Sequence, residues 1–265
     1  SDSYLELVDN MYVNKNMVYD TKYLSFEPKE NYVQVYKNMW LNPVFYKSVY
    51  EKIALANANP RGKYLYSDLN LILVQQMMET KTGSTLDKMA KEIYSELGIT
   101  KIGYNPLKWT SKDAIIPTEI DNFFRRDTIQ GYVHDEAAAI LGGVSGNAGL
   151  FANAKSISVI CQMLLNNGKY QGKQILKSKV IKQFIKSPLA KEGIYRGLGF
   201  DKRKPDEFYQ QNHFGHTGFT GTFFFINPDN NRFLIVLTNR VNPSRTNRLM
   251  YKDDFCPKIW KEINN

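Results

Sequence analysis

The sequence predicts an α+β fold: a helical region, then an antiparallel sheet covered by a terminal helix. Three patterns indicate it. Apolar residues recur at helical spacing over residues 69–97. Two β-prone runs, residues 222–226 and 233–238, flank the turn signal Asn-Pro-Asp-Asn-Asn and form a hairpin. Residues 246–263 then carry spaced apolar side chains, typical of a helix that packs one face on a sheet.

The helical region has clear start and stop signals. Ser67 or Asp68 is a suitable N-cap, because its side-chain oxygen can accept from the first free N–H groups of a helix. Gly83 ends that helix, since glycine readily adopts the left-handed conformation of a C-cap. A second helix runs from Ser84 to Gly98 by the same rules.

The remaining elements have weaker patterns. In the N-terminal part, apolar residues between Tyr32 and Trp40 predict one face of a helix, and residues 43–56 predict another helix. Residues 99–135 form a long irregular stretch, which in a compact domain is usually functional. Further predicted elements are a short helical turn at 137–141, helices at 155–166 and from Ser178, and a strand at 196–200.

These patterns give one structural domain in three segments. Residues 1–65 form a polar and aromatic segment that packs on the domain, residues 66–190 form a helical region with active-site loops, and residues 191–265 form the sheet and its helix. The chain opens without a signal peptide and looks like an excised piece of a longer protein.

Composition narrows the function classes. With 43% apolar residues among 265, a substantial core is available, and no apolar run approaches the roughly 20 residues of a membrane span. Lys plus Arg total 35 and Asp plus Glu 26, a net charge of +9. The basic residues look scattered, so we expect no nucleic-acid binding and rather a solvated surface or attraction to an anionic envelope polymer. Cys161 and Cys256 lack metal-ligand spacing, and a disulfide between them stays open.

Three polar residues stand where the predicted structure meets the surface: Tyr66, Asp68 and His216. A tyrosine near a cation can act as a general base, a carboxylate can hold an ammonium or amide, and a histidine can donate to a carboxylate. Taken singly, each has a plainer interpretation: a core aromatic with a bonded tip, a helix cap, and a histidine at a tight strand entry. A glycine-rich run at 142–149 lacks the ending of a phosphate-binding loop.

Taken together, these residues resemble a known family. Tyr66-Ser-Asp68 is similar to the Tyr-x-Asn element, and His216-Thr-Gly218 to the Lys-Thr-Gly element, of the serine β-lactamase and penicillin-binding-protein superfamily, especially its class C and esterase-like branch. Residues 131–135 and 143–151 add similarity. Residues 116–240 most resemble the β-lactamase-like domain joined to glycoside hydrolase family 3 enzymes in some Gram-negative bacteria. The resemblance implies an incomplete β-lactamase/transpeptidase-like fold.

The resemblance also implies acyl transfer without metal or cofactor. A serine would attack a carbonyl, and Tyr66 would manage its proton. His216 would support Tyr66 or bind a substrate carboxylate, and the N–H of Phe219 would be half of an oxyanion hole. The remaining substrate contacts would come from the residues around these groups: Ser145, Asn147, Thr217 and Gly218.

Three departures from the family pattern matter. No serine has lysine three residues later, as the family's Ser-x-x-Lys requires, and Thr85-Leu-Asp-Lys88 has the spacing but falls after the tyrosine motif. We therefore expect a C-terminal portion of a hydrolase domain, inactive alone. Asp68 stands where asparagine is usual, which weakens the case for lactam-amide recognition. His216 replaces lysine, as the esterase-like branch also shows.

The expected substrate is a small molecule or a peptidoglycan-derived amide or ester, in the periplasm or cell envelope. The alternative function is a non-catalytic module that binds a peptidoglycan fragment or a partner protein. Because two early strands of the sheet have no counterpart, we also expect an unpaired edge that either drives self-association or is covered by residues 1–60.

Overall fold

The computed structural model describes residues 5–8, 11–14, 18–55, 64–205, 212–252 and 255–264. Its α-helices are α1 Val44–Leu55, α2 Leu69–Thr82, α3 Leu86–Glu96, α4 Glu136–Ile140, α5 Ala154–Leu165, α6 Ser178–Phe184 and α7 Phe255–Asn264. Its strands are β1 Leu5–Val8, β2 Met11–Asn14, β3 Leu24–Ser25, β4 Val33–Tyr36, β5 Met39–Leu41, β6 Ile102–Gly103, β7 Ile120–Asp121, β8 Asp127–Thr128, β9 Phe151–Ala152, β10 Lys169–Tyr170, β11 Lys173–Gln174, β12 Phe214–Thr217, β13 Phe223–Asn227 and β14 Arg232–Val236. The predicted α+β class is confirmed.

The chain forms two compact units. Unit 1 comprises residues 1–89 and 103–151, and unit 2 comprises residues 90–102 and 152–265. Each has its own hydrophobic core. The predicted segment boundaries at residues 65 and 190 stay predictions.

In unit 1, the predicted helix between Tyr32 and Trp40 is wrong. The chain forms an antiparallel pair there, β4 with β5, and β3 joins on the other side of β5. β-branched and aromatic residues dominate this stretch, and they favour a pleated, half-buried surface. Tyr36 and Met39 are almost fully buried in the core of the unit. The second helix predicted for this region is confirmed as α1.

The predicted start and end of α2 are confirmed, although Asp68 makes no side-chain cap hydrogen bond and Ser67 accepts from the N–H of Leu69 instead. Asp68 occupies the N-cap position, and Gly83 ends the helix with a φ of 69°. The short helical turn predicted at 137–141 is present as α4, and Asp135 caps it by accepting from the N–H of Ala138. Residues 99–135 are irregular as predicted, with strands of only two residues.

In unit 2, β12, β13 and β14 form an antiparallel sheet in that order. Successive side chains of a strand point to opposite faces, and both faces of this sheet are apolar. Phe224 and Ile226 pack in the cluster that contains α5, whereas Phe223 and Phe225 pack in the cluster of Trp260 on α7. Cover on both faces explains why the two strand sequences are apolar without alternation. The predicted terminal helix over the sheet is confirmed.

The strand predicted at 196–200 is wrong. Arg196 forms only an isolated bridge with Asp201, and Asp201 in turn bridges to Gly215. The third strand of the sheet is instead β12, which contains His216. Glycine at 197 and 199 interrupts the run, and glycine weakens a strand interior.

One edge of the unit 2 sheet is unpaired. Among the residues that the structure describes, β14 is hydrogen-bonded to β13 on one side and to no strand on the other. The two N-terminal strands of this chain, β1 and β2, pair with each other in a separate sheet. Because an exposed row of N–H and C=O groups favours pairing with a second chain, we expect concentration-dependent self-association. Sedimentation equilibrium checks this expectation, and the mass of a single chain at every concentration would contradict it.

No helix within the described ranges has the length and apolar character needed to cross a membrane. Both cysteines are free thiols, and Cys161 is fully buried. Burial raises the pKa of the Cys161 thiol to about 12, so it is a packing residue, as its sequence context predicts.

Candidate active site

Tyr66 and Asp68 lie at the start of α2 in unit 1. The Asp68 side chain makes no cap hydrogen bond, and the hydroxyl of Ser67 instead accepts from the N–H of Leu69 at 3.3 Å. Burial raises the pKa of the Asp68 carboxyl, and hydrogen bonding from Tyr66 and from Asn147 acts to lower it. Tyr66 is 63% exposed, and Asp68 is half-buried.

A second carboxylate shares Asn147 with Asp68. The Nδ2 atom of Asn147 donates to Oδ1 of Asp135 at 3.3 Å, and its Oδ1 accepts from the hydroxyl of Ser145 at 2.6 Å. Burial raises the pKa of the Asp68 carboxyl, the nearby Asp135 carboxylate raises it further, and the hydrogen bonds from Asn147 and Tyr66 oppose the rise. Tyr66, Asp68, Ser145 and Asn147 were predicted as site residues, whereas Asp135 was only part of a stretch similar to the family and had no predicted role.

A buried ion pair positions the loop that carries Asp135. Arg125 and Asp121 pair at 3.3 Å, and both side chains have no exposure. The guanidinium also donates to the carbonyls of Val133, His134 and Asp135, at 2.8, 2.9 and 3.2 Å. These bonds fix the backbone immediately before α4.

The glycine-rich run packs against α2. A Cβ atom on Gly146 would lie 2.3 Å from the carbonyl oxygen of Leu71, so only glycine fits there. Gln75, buried within α2, accepts from the N–H of Gly146 at 2.8 Å and donates to the carbonyl of Val144 at 3.2 Å. The run therefore holds Ser145 and Asn147 in place next to α2.

In unit 2, His216 lies on β12 opposite Phe224. Its Nε2 is 3.3 Å from a guanidinium nitrogen of Arg196, and its Nδ1 is 2.8 Å from the carbonyl of Thr217. A guanidinium can only donate, so Nε2 accepts, and the ring proton on Nδ1 donates to Thr217. Arg196 also pairs with Asp201 at 3.3 Å. The sequence placed Arg196 in a strand and gave it no role.

The turn after His-Thr-Gly is rigidly held. The N–H of Gly218 donates to the carbonyl of Thr222 at 2.7 Å. Gly221 has a φ of 95°, and a Cβ atom there would lie 2.3 Å from the hydroxyl of Thr238. Arg240 donates to the carbonyl of Phe219 at 2.7 Å, and its guanidinium lies 5.1 Å from the centre of the Phe219 ring. The ring itself is 44% exposed. A fixed backbone at Phe219 is what an oxyanion donor requires.

Replacing Asp68 by asparagine should change how stability depends on pH. The folded-state pKa of Asp68 is raised above its ordinary value of 3.8. The folded protein therefore loses stability as pH rises from the ordinary pKa to the raised one. The asparagine variant lacks this loss. Its melting temperature should exceed that of the parent by on the order of 1–2 °C near pH 7, a small effect because Asp68 is partly exposed.

Thermal unfolding of both proteins, followed by circular dichroism from about pH 4 to about pH 7, checks the expectation. The difference should grow with pH. A difference that is constant across this range, or that shrinks, would contradict the assigned pKa shift.

The structure thus brings together the unit 1 residues Tyr66, Asp68, Ser145 and Asn147, and, within unit 2, His216, Thr217, Gly218 and Phe219 on one strand and its turn. Among the described side chains, no three of His, Cys, Asp or Glu form a group that could hold a metal ion. Sequence reasoning missed Asp135, Arg196 and Arg240.

Comparison with known proteins identifies the family. The family model described as "Beta-lactamase" matches residues 24–255. The "Putative D-alanyl-D-alanine carboxypeptidase" of Escherichia coli (strain K12) is 35% identical over 201 residues, which cover 68% of this chain and 46% of that protein. The chain therefore spans less than half the length of this relative.

Solved structures agree on the fold. "Simvastatin Synthase (LovD) from Aspergillus terreus, unliganded" aligns with a TM-score of 0.54 and 14% identity over 88% of this chain and 63% of its own. The "putative beta-lactamase from Bacteroides dorei DSM 17855" gives a TM-score of 0.51 and 16% identity. The alignment covers 89% of this chain and 68% of that chain. At such identities the likeness concerns the fold alone. Together with the family-model match over most of the sequence, it leads to one conclusion: the chain belongs to the beta-lactamase family of serine hydrolases.

Proposed function

We propose that this chain is part of an enzyme that performs acyl transfer on an amide or ester of cell-envelope origin, to which unit 1 contributes the tyrosine element and unit 2 the His-Thr-Gly element. The observation that carries the proposal is the exposed Tyr66 next to the Asp68 carboxyl, whose pKa is raised by burial and acted on in the opposite direction by hydrogen bonding from Tyr66 and Asn147. A positioned hydroxyl–carboxylate pair is suited to proton transfer. The relatives named as D-alanyl-D-alanine carboxypeptidases support a D-amino-acid peptide as substrate.

Each residue has a role in this proposal. Tyr66 passes the proton of the attacking serine, Asp68 and Asn147 orient Tyr66 and the substrate, and Ser145 orients Asn147. The N–H of Phe219 stabilises the developing oxyanion. Thr217 and Gly218 line the substrate backbone in the manner of a β-strand.

Arg196 supplies the positive charge that lysine carries in the Lys-Thr-Gly element of the family. It contacts Nε2 of His216, so the pair presents a cation next to the active-site strand. A guanidinium stays charged at every physiological pH, unlike a histidine alone. The pair would attract the carboxylate of a peptide substrate or favour the phenolate form of a tyrosine.

The 265 residues contain no serine with lysine three residues later. We therefore infer that this chain alone does not turn over substrate, and that the nucleophile belongs to the longer gene product. Fusion to a glycoside hydrolase family 3 enzyme and location in the periplasm or cell envelope stay proposals from the resemblance. The upstream sequence of the parent gene tests both.

A non-catalytic binding module is the second candidate. One observation favours it: an apolar groove in unit 1 beside α2, open to a ligand or partner. Its lining consists of Leu71, Val74, Gln75, Met78, Leu86, Tyr104 and Gly146. In that case the groove would bind a peptidoglycan fragment or a partner protein, and the chain would catalyse no reaction.

Turnover assays separate the two candidates. The full gene product and the 265-residue chain are each incubated with a chromogenic ester, a β-lactam and a peptide ending in D-alanyl-D-alanine. We expect hydrolysis of at least one of them by the full product and none by the chain. Absence of hydrolysis by the full product, with binding of the peptide retained, would favour the binding module.

A further inference from the structure

The expectation that the basic residues are scattered is wrong, because positive charge is concentrated in one segment of unit 2. Residues 155–204 contain twelve Lys and Arg and two Asp and Glu, a net charge of +10, which exceeds the +9 of the whole chain. The remaining residues are therefore close to neutral. Such an asymmetry creates a local field that a uniformly basic surface does not.

Within this segment, α6 and its flanks (residues 177–189) carry four lysines and no acidic residue. Lys179 and Lys182 lie three residues apart on the helix, Lys186 follows four residues later, and all three are exposed. Ile181 is the buried residue of α6 and faces the core of unit 2. At 100° per residue, Lys179 and Lys182 project away from Ile181 on one flank of α6, and Lys186 follows just after the helix end.

The other flank of the segment is apolar and exposed. Val180, Phe184 and Leu189 have exposed fractions of 37%, 42% and 46%. Val180 and Phe184 lie on the same helix as Lys179 and Lys182, so this short segment combines exposed apolar and cationic side chains. In the described part of the chain, Lys179, Lys182 and Lys186 form no ion pair, whereas Lys173 pairs with Glu96 and Lys202 donates to the carbonyl of Ile185.

We propose that this basic segment, residues 177–189, docks on the surface of an anionic phospholipid bilayer. The lysines pair with headgroup phosphates, and Phe184, Val180 and Leu189 enter the boundary between headgroups and acyl chains. This combination of a cationic flank and an apolar flank is the pattern of interfacial segments. A nucleic acid would use the lysines but leave the apolar flank in water. The proposal does not rest on the acyl-transfer function.

The test is sedimentation of the 265-residue chain with sucrose-loaded vesicles of phosphatidylglycerol mixed with phosphatidylcholine, and of phosphatidylcholine alone. We expect binding to the anionic vesicles only. The K179Q/K182Q/K186Q variant should bind them about a hundredfold more weakly, since each lysine near an anionic surface contributes about fivefold. The matched control is K81Q/K88Q/K91Q, which removes the same charge from α2 and α3 and should bind like the parent.

Phe184→Ser distinguishes lipid from other phosphate polymers. It should weaken vesicle binding at least as much at high salt as at low salt, because salt screens the lysines and not the apolar contact. All of the substituted side chains are exposed, and unchanged thermal unfolding verifies the fold of each variant. Equal binding of the two triple variants, or binding to duplex DNA with none to anionic vesicles, would overturn the proposal.

Discussion

Replacing Asp121 by alanine should destabilise the protein by about 3–5 kcal/mol, because it leaves the buried charge of Arg125 without its partner. Neither side chain of this pair has solvent exposure. The Asp121 carboxylate also accepts from the backbone N–H groups of Phe123, Phe124 and Arg125, at 2.8 to 2.9 Å. Those donors would be buried without an acceptor, which adds to the loss.

Urea unfolding at neutral pH measures this effect. The matched control is Glu51→Ala, which breaks the ion pair of Glu51 with Lys47 at the same i,i+4 spacing. That pair is exposed, so its loss should cost about 0.5 kcal/mol or less. Similar losses for the two variants would contradict the structural role assigned to Asp121 and Arg125.

Replacing Tyr66 by phenylalanine in the full gene product should lower kcat by about 10²–10⁴-fold, the usual contribution of a positioned acid–base group. The ring remains, so packing is unchanged, and only the hydroxyl bonded to Asp68 is lost. Steady-state kinetics on the best substrate of the assay panel give the measurement. KM should change much less than kcat, because the hydroxyl acts in the transition state.

Tyr64→Phe is the control for this substitution. Tyr64 lies two residues earlier and is also exposed, at 49%. It is outside the Tyr-x-Asn-like element, so its loss should leave kcat unchanged. An active Tyr66→Phe variant would remove Tyr66 from the proton-transfer step and leave the family assignment intact.

Local signals made much of the fold predictable. The Asn-Pro-Asp-Asn-Asn turn between apolar runs predicted β13 and β14, and the caps of α2 were evident from Asp68 and Gly83. The helix predicted between Tyr32 and Trp40 was wrong because the apolar residues there fit both a helical and a strand period. Tertiary packing of Tyr36 and Met39 favoured strands.

The chemistry that was missed depends on contacts between distant residues. Arg196 and His216 are 20 residues apart, and nothing in the local sequence of Arg196 indicates a histidine partner. Asp121 and Arg125 have the i,i+4 spacing of an ordinary surface pair, and only the fold shows that they are buried. Motif residues were predictable from their neighbours, whereas the residues that position them were not.

Covalent labelling with a fluorophosphonate probe, followed by peptide mapping, tests the central claim most directly. A serine that performs acyl transfer reacts with such a probe and forms a stable adduct. We predict one labelled serine in the full gene product, in a Ser-x-x-Lys sequence, with labelling slowed by Tyr66→Phe, and no label on the 265-residue chain. A full product that stays unlabelled while it binds peptide, or a label on a serine of this chain, would contradict the account.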